Sequence, residues 1–318
     1  VTMMIDGEAN SPDIFIGGNI ERTSSGGSSP IYHLHFSGRV QLTGTADQSI
    51  DIGQFETVPI FADGGKTAGN VEVVSGTFEV DDGDYVNLRA GSISATAAVT
   101  GEGEIGITPG FSNSGQLDVA SLRLIDWDAT DVPEWSGAIV FEVTAEAIGD
   151  ISPKLSGSYD WTSVQFQING NHDLIIDCAN VVVIAAGGDV VSTETGSGRL
   201  RWIRGEEKLR LDGSGDQILD LQLSVHGEHI IHAIEVNKSS GDVVVAAGIW
   251  CELFEGIDGI APSGIHVLSG ACHQITDGAA AMHYLAFQLV PDNSIDGVFQ
   301  GISCTTTFPS AHPMMKRS

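Results

Sequence analysis

Positive charge is scarce in this sequence. Fourteen Lys and Arg stand against 42 Asp and Glu in 318 residues, a formal net charge of −28. A surface field of that sign repels phosphate backbones and anionic headgroups, so nucleic acid is excluded as a partner and a charged membrane surface is a poor one. Cysteine is sparser still, at four residues. Cys178, Cys251, Cys272 and Cys304 form no CxxC pair and no zinc-ligand spacing, and they read as reduced core residues. No apolar run reaches the roughly 18 residues that a spanning helix needs, so membrane insertion is not expected. The start, Val1-Thr-Met-Met-Ile-Asp-Gly, lacks a basic region leading into an apolar stretch, and a signal peptide is not expected either. No glycine-rich phosphate loop precedes a helix, and no nucleophile elbow or basic–aromatic interleaving occurs, which removes nucleotide enzymes and nucleic-acid binders.

Helical periodicity is also nearly missing. The best helical segments, Ala145 to Ile148 and Gly278 to Met282, are too short to stand as packed helices. Glycine, in contrast, is abundant at 40 residues and recurs between short apolar runs, as tight turns punctuate strands. A hydrophobic content of 42% is enough to fold the chain, so the scattered acids read chiefly as a solubilising surface, with cation binding as the lesser alternative.

Read along the chain, Ser24 to Pro30 is a turn or linker. The runs Ile31 to Phe36 and Val40 to Thr43 alternate and can pair with each other as strands. An N-terminal β module over residues 1–68 is expected, followed by a second region over 69–318. From Asn70 onward strands become regular: Val71 to Val74, Gly76 to Val80, Tyr85 to Arg89, Val164 to Ile168, Leu174 to Cys178, Val181 to Ala186, Leu200 to Ile203, and on to Tyr284 to Leu289. Taking Leu174, Leu200, Leu219, Val245, His266 and Tyr284 as anchors, the gaps are 26, 19, 26, 21 and 18 residues. A coil of a right-handed β-solenoid closes in a similar length. The 21-residue gap between Cys251 and Cys272 would place them in one interior ladder. Unbroken apolar runs such as Val181 to Ala186 suit parallel strands covered on both faces. The expectation is therefore an all-β chain, a right-handed parallel β-helix behind a small N-terminal module, with β-sandwich domains as the alternative that gives similar spacing.

The stretch Gly69-Asn-Val-Glu-Val-Val-Ser-Gly-Thr-Phe-Glu-Val80 and the text from Val164 to Gln300 resemble the right-handed parallel β-helix family that includes pectate-lyase-like enzymes and bacteriophage tailspikes and tail fibres. The segment His33 to Ala46 is similar to the β-rich attachment segments of virion proteins. The resemblance implies a homotrimer on the phage particle surface, made in the host cytoplasm, attached to other virion proteins through the N-terminal module and binding host cell-surface polysaccharide. It implies a structural and adhesive role. The alternatives are a polysaccharide lyase or glycoside hydrolase on the same scaffold, and a capsid decoration or head-fibre protein.

Particular residues are weighed against that background. Trp250-Cys-Glu252-Leu-Phe-Glu255, with Asp258, combines an aromatic face with carboxylates as sugar-stacking sites do, although a core tryptophan accounts for Trp250 equally well. These four form the expected glycan-binding set. No catalytic residue is assigned, because 42 acids produce close pairs by chance; Asp126 and Asp128 around Trp127, and Asp212 and Asp216 around Gly-Ser-Gly, are such pairs. His226, Glu228, His229 and His232 do not share one face of a strand, and read as a polar turn. His33 and His35 do share a face, which is more simply a solvated one. Asp212 to Asp216 is similar to a calcium-repeat turn but is not repeated as one, so no metal and no cofactor are expected.

Overall fold

The computed structural model describes residues 14–21, 40–52, 68–178, 181–203, 207–221 and 231–247 except 239 and 241–242, and the strands Met4–Asp6, His33–His35, Thr57–Pro59, Cys251–Gly256 and Ile265–Val267. Among the described residues there is no helix, and the secondary structure is strand throughout. The chain divides into two compact units. The first comprises Val1–Lys154, Tyr159–Ile175 and Thr193–Gly198; the second comprises Leu155–Ser158, Ile176–Ser192 and Arg199–Ser318. The expected boundary at 68/69 lies inside the first unit, where Gln48–Asp51 and Thr57–Pro59 both pair with Val71–Glu79.

In the first unit the described strands pair in parallel with partners well separated along the chain. The separation runs from 17 residues, Glu104 to Ser121, up to 30, Ile20 to Ile50. Val71–Glu79 shows how a single strand serves two neighbourhoods. Its first half pairs with Gln48–Asp51 and with Ser92–Ile93, its second with Thr57–Pro59 and with Ala97–Ile107. Gly76, at φ 89°, stands between the halves, where a left-handed residue turns the strand at little cost.

Registered partners carry like side chains inward. Val86, Ile105, Leu122, Ile139 and Val164 form one column through five successive strands, and each is at most 2% exposed. The next column sets Phe141 on Phe166, ring centroids 5.6 Å apart and near parallel. Trp161 meets Phe141 edge-on at 5.9 Å and stacks on Tyr159 at 4.8 Å. Burial of each such side chain contributes about 1.5–3 kcal/mol, and the parallel ladder lets the columns continue from strand to strand.

The second unit repeats the arrangement within itself. Ile184, Leu209 and Ile234 are registered across Val181–Ala186, Lys208–Leu211 and Ile231–Val236, and all three are buried. Leu219 registers with Val245, as the anchor spacing of 26 predicts, and Val245 with Val267, one residue from the anchor at His266. The anchor Tyr284, the cysteines Cys272 and Cys304, the linker Ser24 to Pro30 and the segment Gly278 to Met282 lie outside the described residues.

One expected pairing is corrected. His33–His35 and Val40–Leu42 do not pair with each other; the first pairs with Met4–Asp6 and the second with Ile14–Ile16, both in parallel. Alternation reports that a segment is a strand, whereas partner choice is set by registered side chains from distant sequence. Ala145 to Ile148 is a turn, and Ile148 is fully exposed.

Candidate functional site

Of the expected glycan-binding residues, Trp250 and Asp258 lie outside the described residues. Glu252 and Glu255 belong to the strand Cys251–Gly256, and Glu255 is in register with Glu235 of Ile231–Val236. His226, Glu228 and His229 are likewise outside, and His232 belongs to Ile231–Val236. His33 and His35 form the ends of a three-residue strand beside Met4–Asp6. Among the described residues no group of three or more His, Cys, Asp or Glu is placed to hold a metal ion. Cys178 is a free, fully buried thiol whose titration burial pushes well above the ordinary range.

The densest polar site in the first unit is built around Arg123. Its strand, Gln116–Ile125, lies between Ala97–Ile107 and Ala138–Val143, and Leu122 and Leu124 take the inward positions, so Arg123 is left on the other face. Nε donates to Glu104 Oε1 at 2.6 Å, while Nη1 donates to Glu142 Oε2 at 3.0 Å and to Gln167 Oε1 at 2.6 Å. Ser121 Oγ donates to the other oxygen of Glu104 at 3.0 Å, and Asn169 Nδ2 to the other oxygen of Glu142 at 3.0 Å. Burial disfavours the guanidinium's charge, but the bonds and charges of Glu104 and then Glu142 outweigh it, so its pKa is raised. The guanidinium carbon lies 5.4 Å from the Tyr85 ring centre, a cation–π distance. Gly106 is what admits Tyr85: a Cβ there would stand 2.2 Å from the phenol oxygen. Burial also drives the Tyr85 hydroxyl above its ordinary titration range.

A second cation–carboxylate site lies in the second unit. Glu235, buried on Ile231–Val236, accepts from Lys208 at Oε1 and, at Oε2, from Arg210 Nη2 at 2.9 Å and Nε at 3.1 Å. Burial pushes its carboxyl up, but the hydrogen bonds and charges of Lys208 and Arg210 more than offset that, and its pKa lies below the usual value. The sequence carries a visible trace of both sites that the reading of charge alone passed over. Arginine is rare here, yet Leu122-Arg-Leu124 and Leu209-Arg-Leu211 each set one between two core leucines.

Many remaining acids hold turns. Asp126 Oδ1 accepts the Thr144 amide at 2.8 Å and Oδ2 the Thr144 hydroxyl at 2.7 Å. Asp128 accepts the Ser152 amide at 2.9 Å, Asp150 that of Asp173 at 3.0 Å, Asp47 that of Asn70 at 2.8 Å and Asp189 that of Ile218 at 2.7 Å. Each carboxylate therefore ties its own turn to a segment many residues later. Asp126 and Asp128 are accordingly caps on either side of a buried Trp127, whose indole donates to Asp131 O. Asp212 accepts Asn237 Nδ2 at 2.6 Å. These particular carboxylates thus act as hydrogen-bond acceptors for backbone, guanidinium and amide, a chemistry of cross-linking. No family model, no curated protein and no solved structure matches the chain.

Proposed function

We propose that this chain is a right-handed parallel β-helix serving as a tail-fibre or tailspike-like structural protein of a phage particle, one that adheres to host-surface polysaccharide. The observation that carries the reading is parallel pairing at intervals of 17 to 30 residues, with inward side chains in registered columns. Winding of that kind advances about 4.8 Å per coil and yields a stiff rod. Its hand follows from the strong preference of parallel crossovers for the right-handed sense. A mechanical role is supported further by the carboxylates named above, which are engaged in caps and ion pairs. Homotrimer formation would cover sheet edges along the rod. In this reading the N-terminal module contacts other virion proteins, and Trp250, Glu252, Glu255 and Asp258 line the glycan surface.

The test is electron microscopy and multi-angle light scattering of the purified full chain, followed by binding to host cells before and after removal of their surface polysaccharide. An elongated trimer whose adhesion disappears with the polysaccharide is the expected result. A compact particle, or binding that survives polysaccharide removal, refutes the proposal; release of unsaturated or reducing sugar ends would move the assignment to the lyase or hydrolase alternative.

A further inference from the structure

We infer that the chain carries one building block twice, residues 14–73 and 184–245, and that a glutamine at the same place in each, Gln48 and Gln217, stitches the block together. The inference is independent of the adhesive role. Ile14-Phe-Ile-Gly-Gly-Asn-Ile20 matches Ile184-Ala-Ala-Gly-Gly-Asp-Val190 at an offset of 170 residues. Arg39 to Ile52 then matches Lys208 to Leu221 without a gap at an offset of 169, with Leu42, Gly44, Asp47, Gln48 and Asp51 identical to Leu211, Gly213, Asp216, Gln217 and Asp220. Gly69-Asn-Val-Glu-Val73 follows as Gly241-Asp-Val-Val-Val245 at an offset of 172.

Backbone pairing agrees residue for residue. Ile14 registers with Val40 and Ile16 with Leu42; Ile184 registers with Leu209 and Ala186 with Leu211. Ile20 meets Ile50 and Glu21 meets Asp51, as Val190 meets Leu219 and Val191 meets Asp220. Gln48 meets Val71 and Ile50 meets Val73, as Gln217 meets Val243 and Leu219 meets Val245. Even the irregularity recurs: the register slips between Ile50 and Asp51 in one block and between Leu219 and Asp220 in the other. Glycines at φ 100° and 97°, Gly44 and Gly213, turn the chain at matching positions beside Gly17 and Gly187.

The side chains repeat as well. Gln48 Nε2 donates to Ile16 O at 2.8 Å and to Gly18 O at 2.9 Å; Gln217 Nε2 donates to Ala186 O at 2.9 Å and to Gly188 O at 2.7 Å. Both glutamines are buried. In return, Asn19 Oδ1 accepts the Ser49 amide at 2.9 Å and Asp189 Oδ1 the Ile218 amide at 2.7 Å. The chemistry selects glutamine. A neutral carboxamide has two N–H donors for the two carbonyls of a Gly-Gly turn; glutamate would set lone pairs against them, and a hydrocarbon would leave them unsatisfied in a dry interior. In the second block Lys238 Nζ donates to Gln217 Oε1 and to Gly215 O, both at 2.6 Å, so the amide oxygen is also used.

Two experiments on the full chain test this. In the first, residues 43–52 are replaced by the sequence of 212–221, six substitutions in all, alongside a control graft displaced by one residue. The aligned graft should keep a cooperative unfolding transition within about 5 °C of the parent while the displaced graft loses it; equal damage from both grafts overturns the equivalence of the blocks. In the second, Gln48→Met and Gln217→Met are followed by amide hydrogen exchange. Each should speed exchange at its own Ser49 or Ile218 amide roughly tenfold or more, or abolish the native fold, while the other block's amide is unaffected in a folded variant. Exchange unchanged at the amide of the mutated block overturns the stitch.

Discussion

A single arginine shows how a residue's setting outranks its type. Arg123 sits in a strongly acidic chain, and simple charge counting would leave it solvated. It is instead held by Glu104, Glu142 and Gln167 and faced by Tyr85, with only 17% of its side chain exposed. Removing the cation strands two largely buried carboxylates next to one another. Arg123→Met should therefore lower stability by on the order of 3 kcal/mol, read as a shift of the denaturant midpoint, and Glu104→Gln made in the same background should recover part of it. Leu122 and Leu124, on either side of Arg123, are buried. The partners of Arg123 come from strands 19 and 44 residues away, so no local pattern discloses them.

At the scale of the element, strands were legible and turns were only half so. Val164–Ile168 and Leu200–Ile203 stand where apolar alternation puts them, since a pleated strand buries every second side chain whatever its neighbours are. The glycine-marked turns also fall as expected, but the acids in them read as surface charge, whereas Asp47, Asp128, Asp150 and Asp189 each accept an amide from a distant segment. Asp128→Ala tests this on an exposed residue. It should cost about 1 kcal/mol and accelerate exchange of the Ser152 amide several-fold, with the remainder of the protection pattern preserved. Pairing of His33–His35 with Met4–Asp6 instead of with Val40–Leu42 has the same cause: strand identity is local, and partnership is not.

For the whole molecule, the excess of negative charge and the buried cation–carboxylate sites respond to acid in opposite directions. Protonation relieves general repulsion among 42 acids. Glu235, whose folded pKa is depressed, contributes stability that is fully present above the ordinary carboxylate pKa near 4.3 and is lost as pH falls through its lower folded value. The gap in thermal midpoint between the parent and Glu235→Gln should therefore be constant above about pH 5 and close progressively below about pH 4. A gap that widens on acidification would contradict the assignment. What the sequence determined unaided is the class of structure: β-branched and apolar residues at period two, punctuated by glycine, admit strands and little else, and those are properties of each short segment. Tertiary structure decided which strands are neighbours, and that Arg123, Glu235, Gln48 and Gln217 face partners remote in the chain. Those contacts exist only once strands far apart in the sequence have paired, so no single segment carries them.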